Sequence, residues 1–316
     1  MPKSYLARDY IIEDHLASQV PVLERRWYHG IEIEPGVWSR GLFVDNLLTT
    51  RAALRNLDVT GARCLDIGSM EGLVAILLER KGAAQVVAYD RMNFSDRVAL
   101  LKQKGLARFD YVHGFPLADL ARRLEPDPHF DVVLFSGVLY HMLEPLAGLL
   151  MARRHLRPGG IMVFESLLMA RPEMAAQFNA AGALTDGGDN FWLLNVGLID
   201  YLLRFVRLRP IDVHHLSNAG RPTARVCVVC EAVDEPPGDP ADTWIRLPQA
   251  RDFAEYLDWR ALRAAAPARV RYAAARPGLP WHPWGSVDLW ESVARMPPLP
   301  PTESRTELGL ALSATA

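Results

Sequence analysis

The stretch LDIGSMEG, residues 65–72, decides the fold, together with Asp90 at the end of the next apolar stretch. RCLDIG (63–68) predicts an apolar strand that runs into a glycine turn, and a helix is predicted to start at Gly72. Glycines 68 and 72 carry no Cβ, so a ligand can come close to the backbone of the turn. Asp90 follows about twenty residues later, the spacing of one strand–helix–strand unit, and a carboxylate can accept both hydroxyls of a ribose. The segment therefore predicts a site for an adenosine-containing cofactor.

The alternation of strand, turn and helix continues on either side of this segment. We predict strands at 63–68, 85–90, 109–114, 130–137, 161–166, 210–216 and 224–233. Helices are predicted at 72–82, at 95–105 (capped by Ser95 and closed by Gly105), and from Glu144 to a Pro-Gly-Gly stop at 158–160. Strands that are apolar on both faces and alternate with helices indicate a parallel sheet covered on both sides. The last two strands predict a hairpin, so one closing strand should run antiparallel.

Three segments lie outside this α/β core. We predict an N-terminal cap (1–62) that is mostly helical with an irregular aromatic stretch, a core domain (63–233) and a C-terminal extension (234–316). Within the core, 167–196 forms a long connection where a typical loop would be shorter. The extension begins with the linker DEPPGDPAD and ends in a Trp- and Pro-rich tail that contains WHPWGSVDLW (281–290). That tail could cover the active site or a partner in a homodimer, but packing against the core is favoured.

Composition limits the partners of the chain. Half of the 316 residues are hydrophobic, 23% are charged, and the formal net charge is −2. A charge so close to zero gives no general attraction to nucleic acid or to an anionic membrane. The balance favours a small-molecule substrate, although a local basic patch would still allow tRNA.

Membrane and metal signals are weak. The N-terminus has no apolar stretch of signal-peptide type, and no run is long enough to span a bilayer, which favours a cytoplasmic protein. Cys227 and Cys230 form a CxxC, but residues three apart on a strand point to opposite faces, so strand packing is favoured over a metal or redox site. The pair His214–His215 alternates in the same way, and no metal site is predicted.

The residue pattern of the loop indicates which nucleotide-containing cofactor it would bind. The patterns GxGxxG and GxxxxGK[ST] are absent, which disfavours NAD and ATP. DIGSMEG resembles the first motif of the class I S-adenosylmethionine-dependent methyltransferases, with Met70 in place of the middle glycine, in a DIG-x-x-(D/E)-G form that some members have. FDVVLFSGVLYHMLEP and RPGGIMVFES resemble the fourth and fifth strands of the same family. A structural turn in another kind of α/β protein is the alternative.

Within that family, the combination DIG…GVLYH…NFWLLN resembles the tRNA uridine carboxymethyltransferase group and its relatives, as does WYHGIEIEPGVWSRG (27–41). The resemblance implies a Rossmann-like methyltransferase fold and S-adenosylmethionine as cofactor. It places the following residues at the cofactor: Asp66, Gly68, Ser69, Met70, Gly72, Asp90, Arg91, Gly114, Phe115, Ser136, Gly137 and Val138. Many relatives have an acid at the position of Phe115, so here adenine recognition would depend on stacking or on backbone groups.

Three side chains are candidates for catalysis. Tyr140 and His141 follow the fourth strand, at the sheet edge where ligands bind in such folds. His141 could act as a general base, because the ordinary histidine pKa is near neutral, or it could orient the loop. His29, in the aromatic N-terminal stretch, is a second candidate base if that stretch folds over the site. The alternative for His29 is packing within the cap.

Four side chains are candidates for contact with the acceptor. Glu165 ends the fifth strand and could bind an acceptor amine or satisfy backbone amides. Trp192 could wall an acceptor pocket, with Asn190 and Asn195 as polar groups, although aromatic residues near a helix start are more often core.

Three functions stay open. The leading one is methyl transfer to O or N of a small molecule, such as a secondary metabolite. The others are a tRNA-modifying (carboxy)methyltransferase and, because of Met70, a cofactor-binding module without catalysis.

Overall fold

The computed structural model describes residues 27–34, 37–39, 45–169, 171, 173–185, 189–217, 223–233 and 259–273. The linker DEPPGDPAD, the motif at 281–290 and residues 1–26 lie outside the described residues. The bounds of the three predicted domains stay predictions.

The strands and helices alternate through most of the chain. The strands are β1 (Glu32–Glu34), β2 (Val37–Trp38), β3 (Leu57–Asp58), β4 (Arg63–Ile67), β5 (Gln85–Asp90), β6 (Asp110–His113), β7 (Phe130–Ser136), β8 (Leu156–Met169), β9 (Ala176–Phe178), β10 (Trp192–Leu194), β11 (Leu208–Ser217), β12 (Thr223–Ala232) and β13 (Arg271–Tyr272). The helices are α1 (Asp45–Arg55), α2 (Leu73–Arg80), α3 (Ser95–Gln103), α4 (Leu120–Arg123), α5 (Pro145–Arg153), α6 (Val196–Phe205) and α7 (Trp259–Ala264). Short 3-10 turns lie at Leu117–Asp119, Leu139–His141 and Ala180–Gly182.

Seven strands form one sheet in the order β11-β12-β8-β7-β4-β5-β6. The pairs from β8 to β6 are parallel, whereas β12 runs antiparallel to both of its neighbours. This confirms the predicted mostly parallel seven-stranded sheet with an antiparallel closing strand. The arrangement matters for function because the carboxyl ends of the parallel strands meet at one edge of the sheet.

The two faces of the sheet carry separate apolar clusters. Cys64, Val132 and Cys227 belong to the cluster that also contains α2 and the buried Trp27. Leu65, Val133 and Cys230 belong to the cluster on the other face, with α5 and α6. Cys227 and Cys230 therefore point to opposite faces, as predicted for residues three apart on a strand.

Several predicted boundaries were wrong. Ser95 is the first residue of α3, and Phe94 occupies the cap position without a side-chain cap bond. The predicted helix from Glu144 ends at Arg153, and β8 runs through the Pro-Gly-Gly segment from Leu156. Gly159, with φ +70°, lets the strand pass this irregular stretch.

The irregular aromatic stretch contains a small hairpin, β1–β2, which the sequence did not predict. Ser39 closes it, because its Oγ donates to the carbonyl of His29 at 2.9 Å and accepts the amide of Ile31 at 2.8 Å. The alternation Ile-Glu-Ile-Glu at 31–34 was the available signal for a strand. In the described part of the cap, α1 is the helical portion.

The turn from β4 into α2 depends on Gly72. Its φ is +89°, and a Cβ placed there would lie 2.3 Å from the Phe109 ring. Gly72 accepts the amide of Ile76 at 2.9 Å, so it opens the helix directly. No L side chain is tolerated at this position without strain and a displaced aromatic ring.

We expect Gly72→Ala to destabilise the protein by about 2–5 kcal/mol, the sum of a left-handed backbone penalty and overpacking against Phe109. The matched control is Gly61→Ala, because Gly61 has φ +73° but no atom within 4 Å of an added Cβ. It should cost only the backbone penalty of about 1–2 kcal/mol. Urea unfolding of both variants checks this, and equal losses would contradict the packing contribution.

Candidate active site

The predicted site lies where β4, β5 and β7 end side by side. The loop after β4 is held against β5, because the amides of Gly68 and Ser69 both donate to the carbonyl of Tyr89, at 2.8 and 3.0 Å. Gly68 has φ +81°, and an added Cβ would lie 2.3 Å from the Val138 side chain. The loop after β4 thus packs tightly on the residues that follow β7.

Asp90 contacts the glycine loop directly. Its Oδ2 accepts the amide of Met70 at 2.9 Å, and its Oδ1 accepts the amide of Met92 at 2.8 Å. A carboxylate has about four acceptor positions, so each oxygen keeps capacity for a further donor. The Asp90 side chain is therefore close to the bend at Gly68–Gly72, as the nucleoside prediction required.

Met70 has a left-handed backbone conformation although it is not a glycine. Its φ is +50°, in the left-handed region that favours glycine. The hydrogen bond from its amide to Asp90 and the neighbouring turn at Gly72 hold this conformation. The loop thus keeps a glycine-like shape without the middle glycine of the family motif.

Asp66 and Ser69 carry buried polar atoms at the base of the loop. Among the described residues, Asp66 Oδ2 and Ser69 Oγ have no hydrogen-bond partner. Burial, together with the negative charge of the nearby Asp90, raises the pKa of Asp66 from 3.8 to about 7. Both atoms lie at the glycine loop, where they could accept hydrogen bonds from a ligand.

The pKa of Asp90 is raised as well. Desolvation is the main cause, and the amides of Met92 and Met70 oppose it. The carboxylate of Glu71 adds to the increase by like-charge repulsion. Three acidic groups therefore lie close together around this loop, a setting that favours a cationic or hydroxyl-rich ligand.

The residues predicted to contact the adenine ring follow the ends of β5 and β6. Phe115 packs its ring 5.2 Å from that of Tyr89, and the Tyr89 hydroxyl donates to the Phe115 carbonyl at 2.7 Å. Gly114 donates its amide to the Asp90 carbonyl at 3.3 Å. Arg91 is exposed next to them. An aromatic face is thus available at the position where relatives carry an acid.

The residues after β7 close the other side of the loop. Gly137 donates its amide to the carbonyl of Glu165 at 2.9 Å, and Val138 packs against Gly68. The Ser136 hydroxyl lies 3.1 Å from that of Thr50 in α1. The structure therefore brings Ser136, Gly137 and Val138 next to Gly68, as the resemblance implied.

Glu165 has a partner that the sequence analysis missed. Arg225 of β12 forms a bidentate ion pair with it, at 2.7 and 2.8 Å, and donates to the Tyr140 hydroxyl at 3.3 Å. An arginine within the mostly apolar strand 224–233 was the available signal. Burial raises the pKa of Tyr140, although Arg225 opposes the increase, so Tyr140 stays a neutral phenol.

His141 lies at the surface of the same turn. Its side chain is 38% exposed, and Nδ1 lies 2.9 Å from the carbonyl oxygen of Asp189. The amide of Phe191 donates to the Tyr140 carbonyl at 2.7 Å. The segment before β10 is thus fastened to the turn that carries both candidate catalytic residues.

The predicted acceptor contacts on the long connection all have protein partners. Asn190 donates to the Thr185 hydroxyl at 2.9 Å, and Trp192 Nε1 donates to the Leu143 carbonyl at 3.1 Å. Asn195 is 2% exposed and donates to Glu173 at 3.2 Å. The connection forms the hairpin β9–β10, which brings Trp192 and Asn190 beside the turn at Leu139–His141. Asn195 is buried at the N-cap position of α6 and makes no side-chain cap bond.

His29 reaches the glycine loop from the N-terminal segment. It is 6% exposed, and its Nδ1 lies 3.2 Å from Oε2 of Glu71. The amide of Tyr28 donates to Oε1 of the same carboxylate. The aromatic stretch therefore folds onto the cofactor loop, through a glutamate that the sequence analysis did not single out.

The described part of the chain contains neither a candidate metal-binding cluster nor a membrane-spanning helix. There, no group of three or more His, Cys, Asp or Glu residues could hold a metal ion. Of the helices that the structure describes, none is long and apolar enough to cross a bilayer.

Comparison with known families identifies the central part of the chain. Residues 42–195 match the family described as "Methyltransferase domain". This part of the chain is therefore similar to methyltransferase domains. This assignment agrees with the strand order and with the position of the glycine loop.

Relatives of the methyltransferase domain fall into two groups. The chain is 41% identical over 113 residues to a ubiquinone biosynthesis O-methyltransferase of Cereibacter sphaeroides, covering 35% of this chain and 43% of that protein. It is 36% identical over 174 residues to a tRNA U34 carboxymethyltransferase of Azotobacter vinelandii, covering 50% of each. The chain thus spans about half the length of these relatives.

Solved structures show distant similarity. The N-terminal domain of EvdMO1 with SAH bound is 17% identical, with a TM-score of 0.49, and the match covers 70% of this chain and all of that one. The 1,6-didemethyltoxoflavin-N1-methyltransferase of Burkholderia thailandensis is 18% identical, with a TM-score of 0.43, over 55% of this chain and 72% of that one.

The raised pKa of Asp66 predicts a dependence of stability on pH. The folded state favours the protonated carboxyl, so the stability that this group contributes is present below about pH 4 and is lost as the pH rises through about 7. Asp66→Asn should therefore lose less stability between pH 5 and pH 8 than the wild type. Thermal unfolding without ligand at both pH values checks this.

The control for this prediction is Asp110→Asn, an exposed carboxyl at the start of β6. It should keep the wild-type pH dependence. Identical pH dependence of wild type and Asp66→Asn would show that Asp66 is already ionised at pH 5.

Proposed function

We propose that the protein is an S-adenosylmethionine-dependent methyltransferase. The observation that carries the proposal is the Asp90 carboxylate, which bonds to the Met70 amide of the glycine loop and keeps acceptor capacity for the two hydroxyls of a ribose. The methyltransferase domain at 42–195 supports the same reading.

The residues at the loop suit the methionine part of this cofactor. Asp66 Oδ2 and Ser69 Oγ are buried atoms with free acceptor capacity, and an ammonium group supplies the donors that they lack. Asp90 would hold the ribose, and Phe115 would offer its ring to the adenine. When bound, the cofactor supplies a sulfonium methyl group that an acceptor nucleophile can take.

We propose a small molecule with an apolar part as the acceptor. Leu143 and Phe178 are 64% and 50% exposed beside the turn at Leu139–His141, and the Phe178 ring packs edge-on against Trp192 at 5.0 Å. The net charge of −2 gives no general attraction to nucleic acid. A metabolite acceptor and three buried free thiols both suit the cytoplasm.

A tRNA acceptor is the second candidate. It is favoured by the similarity to tRNA U34 carboxymethyltransferases, which reaches 36% identity and extends over half of the chain. The two acceptors differ in salt dependence, because tRNA binding weakens steeply as salt rises.

Catalysis in this proposal is mostly positioning of the acceptor in line with the methyl group. His141 is the candidate base, since its ring is partly exposed and only Nδ1 is engaged by Asp189. Tyr140 is a neutral phenol held by Arg225, so it would orient the acceptor through a hydrogen bond.

The proposal predicts label transfer from methyl-labelled S-adenosylmethionine to a component of a metabolite extract, read by mass spectrometry. Asp90→Ala should weaken S-adenosylhomocysteine binding more than tenfold in calorimetry, because the ribose contacts are lost. The control Asp110→Ala, on the neighbouring strand, should bind as the wild type does. Unchanged affinity in Asp90→Ala would refute the assigned site.

Labelled bulk tRNA instead of a metabolite would support the second candidate. Binding of the cofactor without label transfer to either pool would support a module without catalysis.

If His141 is the base, His141→Ala should lower turnover by at least 10²-fold while S-adenosylhomocysteine affinity stays within twofold of the wild type. His129→Ala, just before β7 at the opposite edge of the sheet, is the control and should keep full turnover. If turnover of His141→Ala falls by less than a few-fold, His141 is not the base and only orients the turn through its contact with Asp189.

A further inference from the structure

Glu71 is a buried acid inside the cofactor loop that the proposed chemistry does not use. Its side chain has no exposed surface, although it stands between Met70 and Gly72 in a turn that faces the ligand site. Both carboxylate oxygens accept hydrogen bonds from the N-terminal segment, Oε1 from the Tyr28 amide and Oε2 from the His29 ring. One side chain thus ties the loop to residues more than forty positions away in sequence.

The direction of the Glu71 side chain is set by the backbone on either side of it. Met70 and Gly72 both have left-handed φ angles, +50° and +89°, so the chain reverses sharply around Glu71. Because Asp90 holds the Met70 amide, any movement of the loop at Asp90 also moves Glu71. Asp90 and Glu71 therefore both hold this turn in place. Asp90 bonds to it from β5, and Glu71 bonds from it to the N-terminal segment.

The segment that Glu71 holds is packed against the core. Trp27 and Ile31 are fully buried in the apolar cluster that contains α2. Ser39 bonds to the backbone of His29 and Ile31. We define residues 27–34 as the cap strap.

The cap strap contacts the glycine loop through two neighbouring residues. The rings of Tyr28 and His29 are in edge contact at 4.9 Å. Because the Tyr28 amide and the His29 ring both bond to Glu71, these two residues pack on the loop as one unit.

We propose that Glu71 is a positioning residue that couples cofactor binding to the packing of the cap strap on the glycine loop. The inference rests on the proposed function, because it takes S-adenosylmethionine as the ligand of the loop. A ligand that stabilises the loop conformation also stabilises the strap through Glu71, and by linkage the strap strengthens ligand binding by the same factor.

The test measures amide hydrogen exchange of peptides within 27–34, with and without S-adenosylhomocysteine, together with calorimetric affinity. In the wild type the ligand should slow exchange in this peptide. Glu71→Ala should abolish that slowing and weaken binding about tenfold, because neither bond to Tyr28 or His29 can form. Glu71→Gln keeps a carbonyl for the Tyr28 amide, so it should recover part of both effects.

The matched control is Glu79→Gln in α2, where the carboxylate accepts the Arg108 amide at 3.0 Å and lies away from the strap. It should keep wild-type ligand affinity and ligand-dependent protection. If Glu71→Ala does not fold, Glu71→Gln and His29→Ala replace it in the test. Each should lose part of the ligand-dependent protection from amide exchange.

Two failures are distinguishable. Wild-type protein that does not bind S-adenosylhomocysteine overturns the proposed function itself. Wild-type binding with unchanged affinity and unchanged ligand-dependent protection in the Glu71 variants overturns the coupling and leaves the methyltransferase assignment intact.

Discussion

The left-handed turn at residues 68–72 is the constraint on which the rest of the site depends. Its amides are held by acceptors on β5, the Tyr89 carbonyl and the Asp90 carboxylate, so the loop cannot move independently of the sheet. Gly72 must be glycine because Phe109 occupies the space of a side chain. Once this turn is fixed, the ends of β4, β5 and β7 line one ligand site.

Three acidic side chains surround that turn, and each makes different contacts. Asp66 is buried with a raised pKa and an atom free to accept, whereas Asp90 is engaged by backbone amides and keeps capacity for hydroxyls. Glu71 is directed away from both, toward the N-terminal segment. The glycine loop thereby has acceptors for a ligand on one side and hydrogen bonds to the N-terminal segment on the other.

The region after β7 shows how an extra hairpin shapes the acceptor side. The β9–β10 hairpin is fastened to the turn at Leu139–His141 by backbone and indole hydrogen bonds, and it presents exposed apolar side chains beside that turn. The Glu165–Arg225 pair is satisfied internally and positions Tyr140. Acceptor selection in the proposed enzyme would therefore depend on the hairpin more than on this ion pair.

The succession of the seven main strands along the chain, the glycine loop and the position of Asp90 could be predicted from the sequence, because apolar periodicity and the spacing of one strand–helix–strand unit are local properties. The direction of Glu71, the partner of Glu165 and the position of His29 became visible only in the folded chain. Each of these is a contact between segments at least 42 residues apart, with no periodic signal at either end. The left-handed Met70 was also beyond the sequence, because the bond that holds it comes from a neighbouring strand.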